Sequence, residues 1–324
     1  MSTRPKVVIT RKIPAACEAE AQQRFDATIN REDVPLTAAQ LQEALRQADG
    51  LLPTVTDKVT AEVIGVPGRR AKVIANFGVG FNNIDVDAAK AAGVTVTNTP
   101  DVLTDDTADI ALTLLLMVAR RAGEGERHVR NREWTGWRPT HMLGARVTGK
   151  TLGLIGFGRI AKAVAKRAHH GFGMRILFSD PYPPKPEEAR ALGAELRAAP
   201  EEVLQEADFV SLHCPATPET RHLINADRLR LMRKDAYLIN TARGDVVDEA
   251  ALVAALKAQA IAGAGLDVFE REPTVSPDLL TMENVVLLPH LGSATLETRV
   301  AMGMRVADNL ERFFAGLEPG DRLA

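Results

Sequence analysis

The chain has 324 residues, of which 45% are hydrophobic and 25% are charged, and its formal net charge at pH 7 is −2. This length corresponds to about two domains of roughly 150 residues each, and the composition is that of a globular protein with a large core. The near-zero charge excludes a whole-protein attraction to nucleic acid or to an anionic membrane. We therefore expect no nucleic-acid partner and no membrane partner.

The cysteines and the N-terminal sequence indicate the cellular compartment of the protein. Its two cysteines, Cys17 and Cys214, form neither a disulfide framework nor a CxxC motif. The N-terminal apolar run VVIT is shorter than the core of a signal peptide, and the most apolar segment, residues 112–119, has charged residues close on both sides. These features favour a reducing, cytoplasmic compartment. The histidines lack HExxH or His/Cys spacing, so we predict no metal site.

Short apolar runs and helix-like stretches alternate over the first 100 residues. Strands are predicted at residues 6–10, 50–54, 72–78 and 94–98, and helices at 36–48 and 86–93. Such alternation is typical of βαβ units, and continuous apolar runs are typical of parallel strands buried on both faces. A long apolar to amphipathic segment, 105–121, then predicts a connecting helix.

A second α/β series begins after residue 150. Its strands are predicted at residues 151–156, 174–180, 207–214, 236–242, 263–269 and 284–290. A further helix, predicted at 295–316, would return the chain to the first half. The fold class is therefore α/β, with two halves that each have a parallel sheet of their own.

The glycines of GLIGFGRIAKAVAKR (153–167) lie between a predicted strand and a predicted helix. In the pattern Gly156-x-Gly158-x-x-Ala161, the first glycine permits a tight turn and the second lets backbone amides approach a pyrophosphate. The third position needs only a small side chain for helix packing, so alanine is acceptable. Asp180 ends the next strand, where a carboxylate accepts hydrogen bonds from the ribose hydroxyls and repels a 2′-phosphate. The pattern favours NAD(H), although Arg175 and Lys185 lie near enough in sequence to leave NADP(H) open.

Three candidate catalytic side chains follow strand-like runs, which is where open α/β sheets bind ligands. Arg243 ends AYLINTAR, and its guanidinium suits a substrate carboxylate. Glu272 and its neighbour Glu270 both follow GAGLDVF, and the local pattern does not choose between them. His290 ends NVVLLPH and is a candidate proton donor.

Motifs along nearly the whole chain resemble those of the D-2-hydroxyacid dehydrogenases of the D-isomer-specific family, and most of all its glyoxylate/hydroxypyruvate reductase (D-glycerate dehydrogenase) branch. The matching stretches include NFGVGFNNIDV (76–86), NTPDVLTDDTAD (98–109), HCPATPETRHLIN (213–225), LINTARGDVVDEAAL (238–252), AGLDVFEREP (264–273) and NVVLLPHLGSAT (284–295). Many motifs in the same order make chance agreement an inadequate explanation.

The resemblance implies two Rossmann-like domains, each with a doubly wound parallel sheet. The substrate domain would be discontinuous, comprising residues 1–100 and 291–324, and the NAD-binding domain would comprise 101–290. A dimerisation extension would span about 120–148, which predicts a homodimer. The active site would lie in the cleft between the domains, where closure excludes water.

The resemblance also implies roles for individual residues. The catalytic set becomes Arg243, Glu272 rather than Glu270, and His290. His290 would donate a proton to the carbonyl oxygen of a 2-keto acid as hydride arrives, and Glu272 would orient it and favour its protonated form. Arg243 would hold the substrate. The other substrate-binding positions are Val55, Val79, Gly80 and Trp137. For Trp137 the alternative role, a dimer contact alone, stays open.

Cofactor positions follow in the same way. Beyond Gly156, Gly158 and Asp180, the resemblance assigns cofactor contacts to Thr107, Arg159, Ile160, Cys214, Pro215, Thr241, Ala242 and Asp267. The implied reaction is NAD(P)H-dependent reduction of glyoxylate or hydroxypyruvate to glycolate or D-glycerate. Two alternatives stay open: the same chemistry on larger 2-keto acids, and a non-catalytic NAD(H)-sensing protein of the same fold.

Overall fold

The structure is a computed structural model that describes residues 4–324. The chain forms two compact units, and each is described by itself. The first comprises the described residues up to Leu103 together with Ala294–Ala324, and the second comprises Thr104–Ser293.

The described residues contain twelve strands and thirteen α-helices. The strands are β1 (Lys6–Ile9), β2 (Asp26–Ile29), β3 (Gly50–Leu52), β4 (Val73–Ala75), β5 (Thr95–Thr97), β6 (Thr151–Ile155), β7 (Arg175–Ser179), β8 (Ala194–Leu196), β9 (Phe209–Leu212), β10 (Tyr237–Asn240), β11 (Gly263–Leu266) and β12 (Val285–Leu287). The helices are α1 (Ala15–Arg24), α2 (Ala38–Gln47), α3 (Ala61–Ile64), α4 (Val86–Ala91), α5 (Thr104–Ala119), α6 (Ala122–Arg130), α7 (Arg159–Phe172), α8 (Pro186–Ala191), α9 (Pro200–Glu206), α10 (Ala226–Leu231), α11 (Glu249–Lys257), α12 (Pro277–Thr281) and α13 (Leu296–Phe314).

The first unit is built on a five-stranded parallel sheet in the order β2-β1-β3-β4-β5. Its inner strands carry fully buried apolar residues such as Leu51 and Ile74, which pack against Leu41 and Leu45 of α2. Helix α2 starts with a capping box, in which Thr37 accepts from the Gln40 amide and the Gln40 side chain accepts from Thr37. The apolar stripe of the helix is thereby fixed over the sheet.

The last long helix, α13, belongs to the first unit although it comes from the far end of the chain. It begins at Leu296 after the N-cap Thr295, whose side chain accepts from Thr298 N. It packs against α1 so closely that a Cβ on Gly303 would collide with the Sγ of Cys17. A glycine is therefore required at this helix crossing.

The second unit has a seven-stranded parallel sheet in the order β12-β11-β10-β9-β6-β7-β8. The strand order reverses between β6 and β9, and such a switch point opens a crevice at the carboxyl ends of the strands. Helix α5 lies on β10 and β11, where a Cβ on Gly265 would come within 2.9 Å of the Leu114 Cβ. Helix α7 packs beside it through small residues that include Ala161 and Ala165, both fully buried.

The two doubly wound parallel sheets confirm the predicted fold class. Each of the ten predicted strands is present, with bounds trimmed by a few residues. Two edge strands, β2 and β8, were not predicted, because each is short and lacks a continuous apolar run. The predicted helix 105–121 is present as α5, which ends at Ala119. Helix α6 was not predicted, and it starts after Arg121, which has a left-handed conformation (φ 53°).

Candidate active site

The glycine turn after β6 contacts the backbone that follows the neighbouring strand β9. Gly156 has φ +85°, and a Cβ there would lie 2.8–3.0 Å from backbone atoms of His213 and Cys214. Gly158, in contrast, has no atom within 4 Å of the position of a Cβ. The first glycine is therefore required by the turn, and the second leaves open space beside the start of α7.

The start of α7 suits an anion. Gly158 is its N-cap and makes no side-chain capping hydrogen bond to the first turn. Those amides and the helix dipole together favour a phosphate group. Ala161 is fully buried in the core against the sheet, so this position serves packing.

Asp180 follows β7 at the mouth of the glycine turn. Its Oδ2 accepts from Phe157 N at 2.6 Å and its Oδ1 accepts from Tyr182 N at 2.7 Å. Arg175 stands at the other end of β7, roughly 16 Å away along the strand, and pairs there with Glu195. Arg175 is therefore not in a position to offset the charge of Asp180.

Arg243 lies in a turn that the side chain of Asn240 organises. Asn240 Nδ2 donates to the Arg243 carbonyl at 2.9 Å, and Asn240 Oδ1 accepts from Ala242 N at 3.0 Å. The Arg243 guanidinium donates to the Ala242 carbonyl at 2.7 Å. Desolvation lowers the pKa of Arg243, and the carboxylates of Glu272 and Asp245 oppose that effect, so the side chain stays a cation.

Glu272 and His290 form a hydrogen-bonded pair. Glu272 Oε2 lies 2.9 Å from His290 Nδ1, and Glu272 Oε1 accepts from Phe269 N at 3.1 Å. Burial would raise the pKa of Glu272, but the hydrogen bond and charge of His290, the Phe269 amide and Arg243 hold it below its ordinary value. Because an ionised carboxylate only accepts, Nδ1 carries the shared hydrogen and Nε2 remains for a substrate.

His290 is held in a strained conformation. Its φ of 56° lies in the left-handed region, which is uncommon for a residue with a side chain and costs about 1–3 kcal/mol. Asp267, only 1% exposed, fixes this turn: its carbonyl accepts from His290 N, and its carboxylate accepts from Leu291 N at 2.6 Å and Gly292 N at 2.8 Å. Burial raises the pKa of Asp267, although the two amides and His290 oppose this.

The structure thus brings Arg243, Glu272 and His290 together at the carboxyl ends of β10, β11 and β12. These strands are hydrogen-bonded neighbours, which explains the convergence of residues far apart in sequence. Of the two glutamates that the local pattern left open, Glu272 contacts His290, whereas Glu270 contacts His222. No local sequence signal indicates this second pair, since its members are 48 positions apart.

The remaining cofactor candidates surround the same edge of the second unit. Thr107 donates from Oγ1 to the Gly292 carbonyl at 2.9 Å. Thr241 Oγ1 is buried and has no hydrogen-bond partner among the described residues, which suits a ligand contact. Burial raises the pKa of the Cys214 thiol to about 11, so the thiol is protonated at neutral pH, which argues against a nucleophile. Arg159 and Ile160 open α7, Pro215 is exposed beside Cys214, and Ala242 precedes Arg243.

The candidates Val55, Val79 and Gly80 lie in the first unit, in two touching loops after β3 and β4. A Cβ on Gly78 would come within 2.7 Å of Val55 Cγ1. Asn76 Nδ2 donates to the Gly80 carbonyl at 2.9 Å, and Asn98 Nδ2 donates to the Val79 carbonyl at 2.8 Å. Trp137, in the second unit after α6, is 82% exposed.

A buried polar cluster under these loops was not anticipated from the sequence. Asp57, 1% exposed, accepts from Thr10 Oγ1 at 2.6 Å and from Thr54 N at 2.7 Å. Asn83 donates from Nδ2 to the Thr54 carbonyl at 3.0 Å. The members of this polar cluster come from three separate segments of the chain, so no local sequence pattern marks them as a group.

Comparisons with known proteins agree with this geometry. Residues 112–292 match the model of the D-isomer specific 2-hydroxyacid dehydrogenase NAD-binding domain. The chain is 47% identical to the glyoxylate reductase of Thermococcus kodakarensis over 98% of this chain and 95% of that protein. No helix among residues 4–324 has both the length and the apolarity needed to cross a bilayer.

Solved structures show the same fold. The TT0316 protein of Thermus thermophilus matches with a TM-score of 0.91 and 42% identity, covering 98% of this chain and all of that one. An NADPH-dependent glyoxylate/hydroxypyruvate reductase from Sinorhizobium meliloti, solved with NADP and malonate, matches with a TM-score of 0.88 and 36% identity. The match covers 99% of this chain and 97% of that one.

Proposed function

The chain belongs to the D-isomer-specific 2-hydroxyacid dehydrogenase family, and we propose that it reduces glyoxylate and hydroxypyruvate with NADH. The observation that carries the proposal is the Glu272–His290 pair, with its 2.9 Å hydrogen bond, beside Arg243 on neighbouring strand ends. An imidazole supported by a carboxylate can donate the proton that the reduction of a 2-keto acid needs, and a guanidinium can bind the carboxylate of the substrate.

The residues of the second unit fit a nicotinamide dinucleotide. Gly158 and the amides at the start of α7 would hold the pyrophosphate, together with Arg159 and Ile160. Asp180 would accept the ribose hydroxyls, which favours NAD(H) over NADP(H). Cys214 and Pro215 would line the adenosine site, and Thr107, Thr241, Ala242 and Asp267 would lie nearer the nicotinamide. The cofactor, when bound, supplies the hydride.

The three proposed catalytic side chains bind the substrate, donate the proton and orient the proton donor. Arg243 forms two parallel hydrogen bonds with the substrate carboxylate and fixes the orientation of the keto group. Protonated His290 donates from Nε2 to the carbonyl oxygen as the alcohol forms. Glu272 keeps the ring in the orientation that points Nε2 away from its own carboxylate, and its charge stabilises the imidazolium.

The first unit would supply the rest of the carboxylate site. The backbone amides of Val79 and Gly80 bind the substrate carboxylate in this proposal, and Val55 forms part of the pocket wall. We assign residues 1–100 and 291–324 to substrate binding and 101–290 to NAD binding. The segment at about 120–148 would make a homodimer, in which the exposed Trp137 reaches the partner's substrate. We place the protein in the cytoplasm.

A panel of 2-keto acids tests the proposal. NADH oxidation is measured with glyoxylate, hydroxypyruvate, pyruvate and a bulky 2-keto acid, and each reaction is repeated with NADPH. We expect the highest kcat/KM for the two small substrates with NADH. Preference for the bulky acid would contradict the substrate assignment. Tight NADH binding without turnover on any substrate would instead identify a sensor protein.

A further inference from the structure

A second histidine–carboxylate pair lies beside the catalytic loops of the second unit. His222 Nε2 is 3.0 Å from Glu270 Oε1, and the side chains are 34% and 20% exposed. Glu270 is two residues from Glu272 in the same loop. A change in this pair therefore affects the backbone of the loop that carries Glu272. The hydrogen bond of the pair itself involves none of the three proposed catalytic side chains.

Glu270 connects this loop to the start of α11 through a reciprocal contact. Glu249 N donates to Glu270 Oε2 at 3.4 Å, and Glu270 N donates to Glu249 Oε2 at 3.2 Å. The other Glu249 oxygen accepts from Ser276 N at 3.3 Å. Each carboxylate thus accepts from the backbone amide of the other residue, and like charges that share a site repel. His222 places a ring nitrogen against Glu270, where its N–H can donate to the carboxylate.

His222 is itself fixed to the turn that follows Arg243. Its backbone N donates to the Asp245 carbonyl at 2.8 Å, and Ile224 N donates to the Val246 carbonyl at 3.0 Å. Its φ of 49° lies in the left-handed region, which is uncommon for residues other than glycine. The two hydrogen bonds hold the backbone of His222 against the 3₁₀ turn Gly244–Val246.

The two loops that His222 connects are already in close contact. A Cβ on Gly244 would collide with the backbone of Phe269 and Glu270, so the Arg243 turn and the Glu272 loop touch without intervening side chains. Within the second loop, Phe269 N donates to Glu272 Oε1. A displacement of Phe269 or Glu270 therefore moves the hydrogen bond that orients Glu272.

We propose that His222 is a positioning residue, whose hydrogen bond to Glu270 fixes the Phe269–Glu272 loop against the turn after Arg243 and so sets Glu272 relative to Arg243 and His290. This inference rests on the proposed function, because it assigns His222 a role in the reaction of those three residues. His222 itself touches neither substrate nor cofactor in this account.

The test compares four variants: His222→Ala, His222→Gln, Glu270→Ala and the double variant His222→Ala/Glu270→Ala. Glutamine keeps an N–H donor of similar reach. His170→Ala is the matched control, because His170 is an exposed histidine on α7 of the same unit. Each variant is measured for kcat and KM with glyoxylate, for NADH affinity by fluorescence, for Tm, and for hydrogen exchange of the Phe269–Glu272 amides.

We expect His222→Ala to lower kcat about tenfold, or about 1.4 kcal/mol, with NADH affinity unchanged and faster exchange at Phe269. His222→Gln should recover most of kcat, and His222→Ala should cost little further kcat in the Glu270→Ala background. His170→Ala should resemble the wild type in every measurement.

Each of the following results would overturn the inference. A lower Tm with unchanged kcat in His222→Ala would make the pair only structural. A loss of kcat that glutamine does not restore, or that is equally large in the Glu270→Ala background, would show that His222 acts by another route. A wild type that turns over no 2-keto acid would overturn the proposed function and this inference with it, whereas an active wild type with a fully active His222→Ala overturns the inference alone.

Discussion

The two parallel sheets of this protein have equivalent topological switch points, and the crevice is open in the second unit and closed in the first. In the second unit the crevice between β6 and β9 carries Gly158, beside which there is open space and an uncapped helix start. In the first unit the crevice between β1 and β3 is closed by hydrogen bonds from Thr10 and Thr54 to the buried Asp57. Topology determines where a crevice forms, and the side chains decide whether it admits a dinucleotide.

The largest expected effect concerns the open crevice of the second unit. His290→Ala should reduce kcat for glyoxylate by about 100- to 10,000-fold, the usual contribution of a positioned general acid. NADH affinity should persist, because the glycine turn and Asp180 are unchanged. Steady-state kinetics and a fluorescence titration measure the two quantities on one preparation. A kcat equal to that of the wild type would refute the acid role of His290.

A substitution in the closed crevice of the first unit should lower the stability of the protein. Asp57→Ala leaves the Thr54 amide without its acceptor and leaves the Thr10 hydroxyl with only its longer contact to the Leu52 carbonyl, at 3.3 Å. We expect a loss of about 2–3 kcal/mol in the free energy of unfolding. Urea unfolding measures this loss. NADH affinity should be unchanged, because the dinucleotide residues belong to the second unit. A variant of wild-type stability would show that Asp57 does not hold the first crevice closed.

Asp180 should control which dinucleotide the open crevice accepts. Removing its charge in Asp180→Ala should shift the kcat/KM ratio toward NADPH by about tenfold, or about 1.4 kcal/mol, since a carboxylate repels a 2′-phosphate. Arg175→Ala is the control, because Arg175 pairs with Glu195 at the far end of β7. If the variant continues to reject NADPH as strongly as the wild type, discrimination resides elsewhere.

The smallest effect is expected at the edge of the second sheet. Hydrogen bonds from Arg175 lower the pKa of Glu195 to about 2, burial opposes this, and Arg197 adds to the lowering. Since the folded-state pKa is depressed, the stabilisation is complete above the ordinary glutamate pKa and is lost as the pH falls toward 2. Glu195→Gln should cost under about 1 kcal/mol at pH 7, because the side chain is 48% exposed and screened. Its stability should also depend less on pH below 4.5. An identical acid unfolding profile would contradict this assignment.

Local sequence patterns predicted the features that neighbouring residues determine, and they missed the contacts between residues far apart in the sequence. The inner strands and the glycine turn were predictable, since apolar runs and small residues mark them directly. Arg243 and His290 were identifiable because parallel strands place their carboxyl ends at one edge. The pairing of Glu270 with His222, and of Asp57 with Thr10, was not, because each joins segments whose proximity only the folded sheet creates. Helix α6 was missed because its sequence, AGEGERHVR, contains two glycines and only one large apolar residue.

The central claim is that Arg243, Glu272 and His290 act on one substrate. The most direct measurement is a crystal structure with NADH and oxamate, an unreactive analogue of a 2-keto acid. The account predicts His290 Nε2 within about 3.2 Å of the analogue's amide oxygen, the Arg243 guanidinium on its carboxylate, and the Glu272–His290 hydrogen bond intact. Oxamate bound away from these three side chains would contradict it.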